Sequence, residues 1–439
     1  MARKELNIVM FPWLAFGHFI PYLHLANKLA DKGHKITFLI PNKAKLQLDS
    51  QNQHPSLITL LPITVPQVDS LPLGAQTTAD IPLNQHGDLS IAMDRTRPDV
   101  ESILETQNPK PDLILFDMAH WVPAVAAKLN IVSVSYNIVC AISVDLVRDW
   151  YNNSDKDTHI LPSWTMPADA STTNFGENIT ILQRSLIALG TADAISIRTC
   201  REVEGEYCDR IAARFKKPVL LSGITLPEST DPLDLRWVKW LGKFKKESVI
   251  FCCLGSQHVL DKPQIQELAL GLEMTGLPFL LAVKPPVGFA TLEEVLPEGF
   301  VERVKDRGMG YGGWVQQTQI LAHPSVGCFV CHCGSSSMWE ALVSDTQLVL
   351  FPQIPDQALN AELMAGKLKV GVKVERKEDG GVSKEVWSEA VKSVMNEDSE
   401  IGSEVKKNHA KWREMLTSEA FADGYIDSFI KDLQDLIGH

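Results

Sequence analysis

Nowhere in the 439 residues do about 18 apolar side chains follow one another, the span a bilayer-crossing helix requires, and the chain closes on Leu436-Ile437-Gly438-His439 without a hydrophobic anchor. Residues 1–29 are apolar behind Arg3 and Lys4, but Pro12, Gly17, His18, Pro21 and His24 interrupt them and no small-residue cleavage pattern follows. They read as a buried strand, a turn and a helix rather than a secretory leader. Cysteine is scarce, eight residues with Cys252-Cys253 adjacent in an apolar run, which suits small core side chains in a reducing compartment. Without secretion, the sequons Asn152-Asn153-Ser154 and Asn178-Ile179-Thr180 carry no meaning. Positive charge is short as well: 42 Lys and Arg against 54 Asp and Glu give −12, which opposes phosphate backbones and anionic membranes. The expectation is a soluble, cytoplasmic chain with no integral membrane segment and no nucleic-acid partner.

What is present is ordinary globular composition, 45% hydrophobic and 22% charged, with 27 Gly and 25 Pro spread without a period. A chain this long supports two or three domains. Apolar runs at 7–11, 35–40, 112–116 and 131–136 read as strands, and 20–32 and 121–129 carry helical spacing. Strands this continuously apolar are covered on both faces, which implies a parallel, doubly wound sheet. The rhythm restarts after Pro227-Glu228-Ser229-Thr230-Asp231-Pro232, with strands at 248–254, 278–283, 326–330, 347–351 and 370–374 and a helix capped by Asp261 that ends near Gly276. The expected architecture is therefore α/β, two facing Rossmann-like halves with a ligand cleft outside the carboxyl ends of their strands. The boundaries are an N-terminal domain at 1–226, a linker at 227–247, a C-terminal domain at 248–415 and a C-terminal helix at 416–439 packing back on the N-terminal domain.

Three motifs read as decoys. Gly308-Met309-Gly310-Tyr311-Gly312-Gly313 spells the dinucleotide fingerprint, yet no clear strand precedes it and no helix follows. Cys328-Phe329-Val330-Cys331-His332 spells a haem attachment site, but its cysteines lie on an apolar strand, and zinc there lacks a fourth ligand. Asp155-Lys156-Asp157 resembles a metal-holding acid pair but sits in a polar loop with no strand to position it.

The informative segment is Trp314 to Gln357. A strand enters His332-Cys333-Gly334-Ser335-Ser336-Ser337, and Met338-Trp339-Glu340 begins a helix. The free N–H groups of a helix start carry partial positive charge and a preceding Gly admits phosphate, so a diphosphate fits, with His332 and Ser337 as added donors. Glu340, one turn in, can accept from vicinal ribose hydroxyls; Trp314 can stack on a base; Asp356-Gln357 offer polar groups where a sugar would emerge.

This segment resembles the 44-residue signature of plant family 1 UDP-dependent glycosyltransferases. Trp314, Gln317, Ile320-Leu321, His323, Gly327, Phe329, His332-Cys333-Gly334, Ser337, Glu340, Pro352 and Asp356-Gln357 fall in register, followed by Asn360-Ala361. The likeness extends from Phe11-Pro12 and Gly17-His18, through Trp240-Leu241 and Leu254-Gly255-Ser256, to Asn408-His409 and Trp412. It implies the glycosyltransferase B fold, inversion at the sugar carbon, no metal, and a UDP-sugar as co-substrate rather than a bound cofactor. By analogy Trp314 stacks on uracil and the Val315 backbone pairs with its edge. Gln317, Gly334, Ser335 and Ser336 fall within the same donor site, Glu340 binds ribose, and His332, Ser337 and Ser256 hold phosphates. Asp356 and Gln357 would hold the sugar. Three departures from the pattern stand out. Gln316 replaces Pro, altering a turn; Ser335-Ser336 replaces Trp-Asn, removing contacts to sugar and phosphate; Ser344-Asp345-Thr346 replaces a Gly-Val-Pro bend. Gln357 favours glucose by family habit, with xylose, arabinose and rhamnose open.

Transfer to a hydroxyl needs a base, and a neutral imidazole suits neutral pH. His18, at the turn after the first strand, and Asp117, ending the strand at 112–116, both lie at carboxyl ends of one sheet, and a carboxylate is the usual partner that orients such a base. They match the family's catalytic dyad; His24, His120 and His323 read as structural. The stretches Phe11 to His18 and Phe116 to Trp121, with the non-Trp residue after His332-Cys333-Gly334, resemble the branch that adds sugar to a sugar, acting on flavonoid or anthocyanin glycosides and then on terpenoid glycosides. An aglycone acceptor and a non-catalytic UDP-sugar binder are the alternatives. A nicotinamide oxidoreductase would need a glycine fingerprint after the first strand, where residues 10–18 hold only Gly17. The expected state is monomeric.

Overall fold

A computed structural model describes residues 5–152, 174–226, 232–255, 259–377, 380–396 and 398–438. Ser256, the Asp155-Lys156-Asp157 pair, the sequon residues Asn153-Ser154 and the first part of the expected linker lie outside the described residues. The described residues form two compact units, one of 5–226 with 419–438 and one of 232–418.

The first unit is built on a parallel seven-stranded sheet of β1 (Asn7–Phe11), β2 (Lys35–Pro41), β3 (Ile58–Ile63), β4 (Leu113–Phe116), β5 (Val132–Asn137), β6 (Ala194–Ile197) and β7 (Val219–Leu221), ordered β3-β2-β1-β4-β5-β6-β7. Each β1 residue from Ile8 to Phe11 and all of β4 are buried, as helices on both faces demand. Helix Phe16–Asp31 begins four residues earlier than the spacing suggested. Pro21 lies inside this helix, where it has no N–H to offer the Gly17 carbonyl. His18 thus sits in the helix's first turn, not in a preceding loop. Helix Glu419–Ile437 adds Ile426, Phe429, Ile430 and Leu433 to this unit's core.

The second unit holds β8 (Val249–Cys253), β9 (Phe279–Ala282), β10 (Gly308–Tyr311), β11 (Val326–Cys331), β12 (Gln347–Leu350) and β13 (Gly371–Lys373), ordered β10-β9-β8-β11-β12-β13 and all parallel. Here the glycine motif has a structural use that its sequence did not suggest: Gly308-Met309-Gly310-Tyr311 is the edge strand β10 itself. A Cβ on Gly308 would lie 2.5 Å from the Phe279 ring, so glycine lets β10 approach β9. Helix Lys262–Thr275 has a reciprocal cap, Asp261 accepting from Gln264 N–H and Gln264 from Asp261 N–H, and stops at Gly276 with φ +76°. Such a cap contributes about 1 kcal/mol. The stretch expected as linker is partly helical: Asp234 caps helix Leu235–Leu241, which buries Trp237 and Trp240. Helix Glu400–Leu416 closes this unit, and the chain passes through Thr417-Ser418 before its last helix.

In both sheets the order reverses between the unit's first and fourth strands, at β1/β4 and at β8/β11. Connections leaving those two strands diverge to opposite faces and open a crevice at their carboxyl ends. His18 and Asp117 follow β1 and β4 at the first crevice, and His332 to Ser337 follow β11 at the second.

Candidate functional site

At the β1/β4 crevice, His18 Nδ1 and Asp117 Oδ2 lie 2.6 Å apart across 99 residues of sequence. Parallel pairing of Phe11 with Phe116 brings the two carboxyl ends side by side, which is how so distant a pair meets. Asp117 is nearly withdrawn from solvent, 6% exposed, whereas His18 keeps 23%. The other carboxylate oxygen, Oδ1, accepts the backbone N–H groups of Trp13 at 2.7 Å and Met118 at 2.5 Å. Both carboxylate oxygens are therefore committed, one to the backbone and one to the imidazole. This fixes the ring and directs Nε2 away from Asp117, the arrangement a general base needs.

A second layer supports the Asp117 turn, and sequence reading did not find it. Arg184, fully buried, donates to Asp94 through both terminal nitrogens, to the Met118 carbonyl at 2.9 Å and to the Phe175 carbonyl at 2.9 Å. Asp94 also accepts from Trp121 Nε1 at 3.1 Å. No motif links Asp94 to Arg184, so only the fold exposes the pair. His120 lies 3.8 Å from Asp94, and burial together with the Arg184 charge lowers its pKa. His24 is buried and held down to about 3, by burial first and then by Arg198 and Lys28. His323 bonds to Ser325 Oγ at 2.8 Å. Each of these three has a place in the packing.

At the β8/β11 crevice, β11 leads through Cys333 and Gly334 into helix Ser335–Leu342. Cys333 holds a left-handed backbone, φ +63°, which costs a non-glycine residue about 1–2 kcal/mol. Asn360 Nδ2 steadies the turn by donating to the Cys333 carbonyl at 2.9 Å. Gly334 is the N-cap and provides no side-chain cap, so the N–H groups of Ser335, Ser336 and Ser337 open the helix without a side-chain acceptor from that position, ready for an anion. The His332 ring packs between two glycines: a Cβ on Gly255 would come within 2.7 Å of it and one on Gly334 within 2.6 Å. Gln317 Nε2 donates to Ser337 Oγ and to Glu340 Oε2, both at 3.0 Å, and Thr318 Oγ1 adds a second bond to Glu340 at 3.1 Å. Gln317 thus joins a phosphate candidate to a ribose candidate and orients both.

Trp314 is 81% exposed, an indole offered to solvent on a loop, while Val315 is buried and its carbonyl accepts the Gln317 N–H at 2.9 Å. Asp356 and Gln357 open helix Pro355–Glu362 after β12; Gln357 is buried and its Oε1 accepts the Gln353 N–H at 2.9 Å, which orients the amide. Gln316 bonds the segment before helix Leu235–Leu241, a connection with no counterpart in sequence reading. Cys328, Cys331 and Cys333 are buried, and burial pushes the Cys328 and Cys333 thiols well up, as core packing requires. Among the described residues no group of three His, Cys, Asp or Glu side chains is placed to hold a metal, and no helix is long and apolar enough to cross a membrane.

Residues 309–408 match the family model described as UDPGT, UDP-glucoronosyl and UDP-glucosyl transferase. Over 438 aligned residues, covering 100% of both chains, the sequence is 78% identical to UDP-glucosyl transferase 79L3 of Saponaria officinalis. It is 49% identical to an anthocyanidin 3-O-glucoside 2'''-O-xylosyltransferase of Arabidopsis thaliana, over 99% of this chain and 98% of that one. The solved structure of Arabidopsis thaliana UGT89C1 complexed with UDP-L-rhamnose matches at a TM-score of 0.81 and 24% identity, covering 99% of each chain, which gives the two-Rossmann glycosyltransferase B fold. With full-length identity this high and the signature segment seated at the second crevice, the chain belongs to the plant family 1 UDP-dependent glycosyltransferases and is an enzyme that draws on a UDP-sugar donor.

Proposed function

We propose that this enzyme moves the sugar of a UDP-sugar, glucose foremost, onto a hydroxyl of the sugar in a flavonoid, anthocyanin or terpenoid glycoside, with His18 as general base oriented by Asp117. The observation that carries the reading is the 2.6 Å His18–Asp117 bond at the β1/β4 crevice, with the carboxylate's other oxygen tied to the backbone. In the step, Nε2 of His18 takes the acceptor's hydroxyl proton while its oxygen bonds to the anomeric carbon. The bond from that carbon to the diphosphate breaks on the opposite face, so the configuration inverts and UDP leaves. The negative charge on UDP falls to the N–H groups of helix Ser335–Leu342, with His332, Ser337 and Ser256 as further donors. Trp314 and the Val315 backbone take the base, Glu340 with Gln317 the ribose, and Asp356 and Gln357 the sugar.

Glucose is favoured by the name of the 78% identical relative, a glucosyl transferase, and a sugar acceptor by the name of the 49% identical one, a glucoside xylosyltransferase. The test is to incubate the protein with UDP-glucose, UDP-xylose, UDP-arabinose and UDP-rhamnose in turn, against a flavonol or triterpenoid aglycone and its monoglucoside, and to weigh the products. A diglycoside from UDP-glucose is expected. Glycosylation of the aglycone with the monoglucoside untouched would overturn the acceptor class. His18→Ala should lower kcat by about 10²–10⁴ with UDP affinity retained; full turnover in that variant removes His18 from the chemistry.

A further inference from the structure

We infer that Gln316 is a positioning residue for the nucleotide base, clamping the loop that carries Trp314; this rests on the reading of Trp314 as the base platform. An indole 81% exposed is not held by its own burial, so its place depends on the backbone of its loop. That backbone is intrinsically loose on one side, because Gly312-Gly313 precede Trp314 and have no side chains to restrict them. The structure restrains the loop at both ends through one neighbouring segment. On the far side, the Gln316 amide uses both its functions: Oε1 accepts the Asp234 N–H at 2.7 Å and Nε2 donates to the Pro232 carbonyl at 3.1 Å. Asp234 is itself fixed as the cap of helix Leu235–Leu241, its carboxylate accepting the Arg236 N–H at 2.8 Å. On the near side, Tyr311 packs edge-on against Trp237 of that helix at 5.1 Å, and the Arg236 guanidinium lies over both rings, at 4.3 Å from Trp237 and 4.8 Å from Tyr311. The loop is pinned to one short helix and its cap, and Gln316 is the pin nearest the indole. A side chain that satisfies two backbone groups this far away in sequence has a geometry that proline, which has no side-chain donor or acceptor, would not supply.

Losing the two hydrogen bonds releases the loop, and a fall of its binding-competent population to about a tenth weakens the apparent affinity about tenfold. Gln316→Met keeps the length and removes both bonds. Its UDP Kd, by calorimetry, and its KM for UDP-sugar are expected to rise about tenfold, with kcat and the acceptor KM unchanged. Inhibition by inorganic pyrophosphate, which has no base, should stay as in the unaltered enzyme. Trp314→Ala should weaken UDP in the same way, and the double variant should be no worse than Trp314→Ala alone. If Trp314→Ala weakens UDP while Gln316→Met does not, the clamp is overturned and the platform stands. If UDP and pyrophosphate weaken equally in Gln316→Met, the residue serves general folding and the inference is overturned. If Trp314→Ala leaves UDP affinity intact, the platform reading falls and takes the clamp with it.

Discussion

Arg184 and Asp94 form a two-point ion pair, Nη1 to Oδ1 at 2.9 Å and Nη2 to Oδ2 at 2.5 Å, and the same guanidinium holds the carbonyl of Met118, the residue after Asp117. Removing one partner of a buried pair leaves an uncompensated charge and costs about 3–5 kcal/mol. Arg184→Met and Asp94→Asn should each lower the urea midpoint of the first unit to that extent, and Asp94→Asn/Arg184→Met should cost less than the two added together. Independent, additive losses would show that the pair is not coupled. Because Arg184 also anchors the Asp117 turn, whatever Arg184→Met protein folds should lose kcat more than acceptor affinity.

Asp117→Asn keeps an oxygen for the Trp13 and Met118 N–H groups but turns an N–H toward His18 Nδ1, where a carboxylate oxygen now sits at 2.6 Å. That favours the tautomer whose proton is on Nε2, which cannot accept one from the acceptor. A kcat loss of about 10²–10⁴ is expected, with UDP binding by calorimetry unchanged. Near-normal turnover would show that orientation by the carboxylate is not required.

Much of this molecule was legible because local rules and tertiary context agree. The cap at Asp261 and the stop at Gly276 were readable since both act on their own helix, and β1 and β4 since burial on two faces leaves only apolar residues. The pairing of His18 with Asp117 could be reasoned from the ends of two strands, given a parallel sheet. The edge strand β10 was hidden because glycine there serves a close approach to Phe279, which depends on a partner 29 residues away. Asp94–Arg184 and Gln316–Asp234 were invisible for the same reason: the partners lie 90 and 82 residues apart, so the signal exists only in space.

Gly255 tests how tightly the phosphate turn is fitted. Its φ of +76° disfavours any side chain, and a Cβ there would press on the His332 ring at 2.7 Å. Gly255→Ala should raise the KM for UDP-sugar at least tenfold and cost about 1–2 kcal/mol in stability. Gly190→Ala is the contrasting substitution: nothing lies within 4 Å of a Cβ there, and the site is helical, so stability should hold or rise slightly. Equal kinetic effects from the two would refute a specific fit around His332.

Acid stability should be governed in part by one buried histidine in each unit. Burial, with the Arg198 and Lys28 charges added, holds His24 down to about 3, and burial holds His409 down to about 4 despite a bond from its Nε2 to the Ala341 carbonyl at 3.2 Å. In the unfolded chain both return to about 6.5. Between pH 6.5 and the folded values, the unfolded state binds protons that the folded state refuses, so stability falls as pH drops, by roughly 1.4 kcal/mol per pH unit for each group. Above pH 6.5 neither group contributes a slope. Urea unfolding at pH 5 and pH 7 should therefore show a large loss, and His24→Leu should flatten the acid limb for the first unit by about one proton's worth while leaving the second unit's limb unchanged. An unaltered slope in that variant would mean that His24 takes up its proton in the folded protein as readily as in the unfolded one.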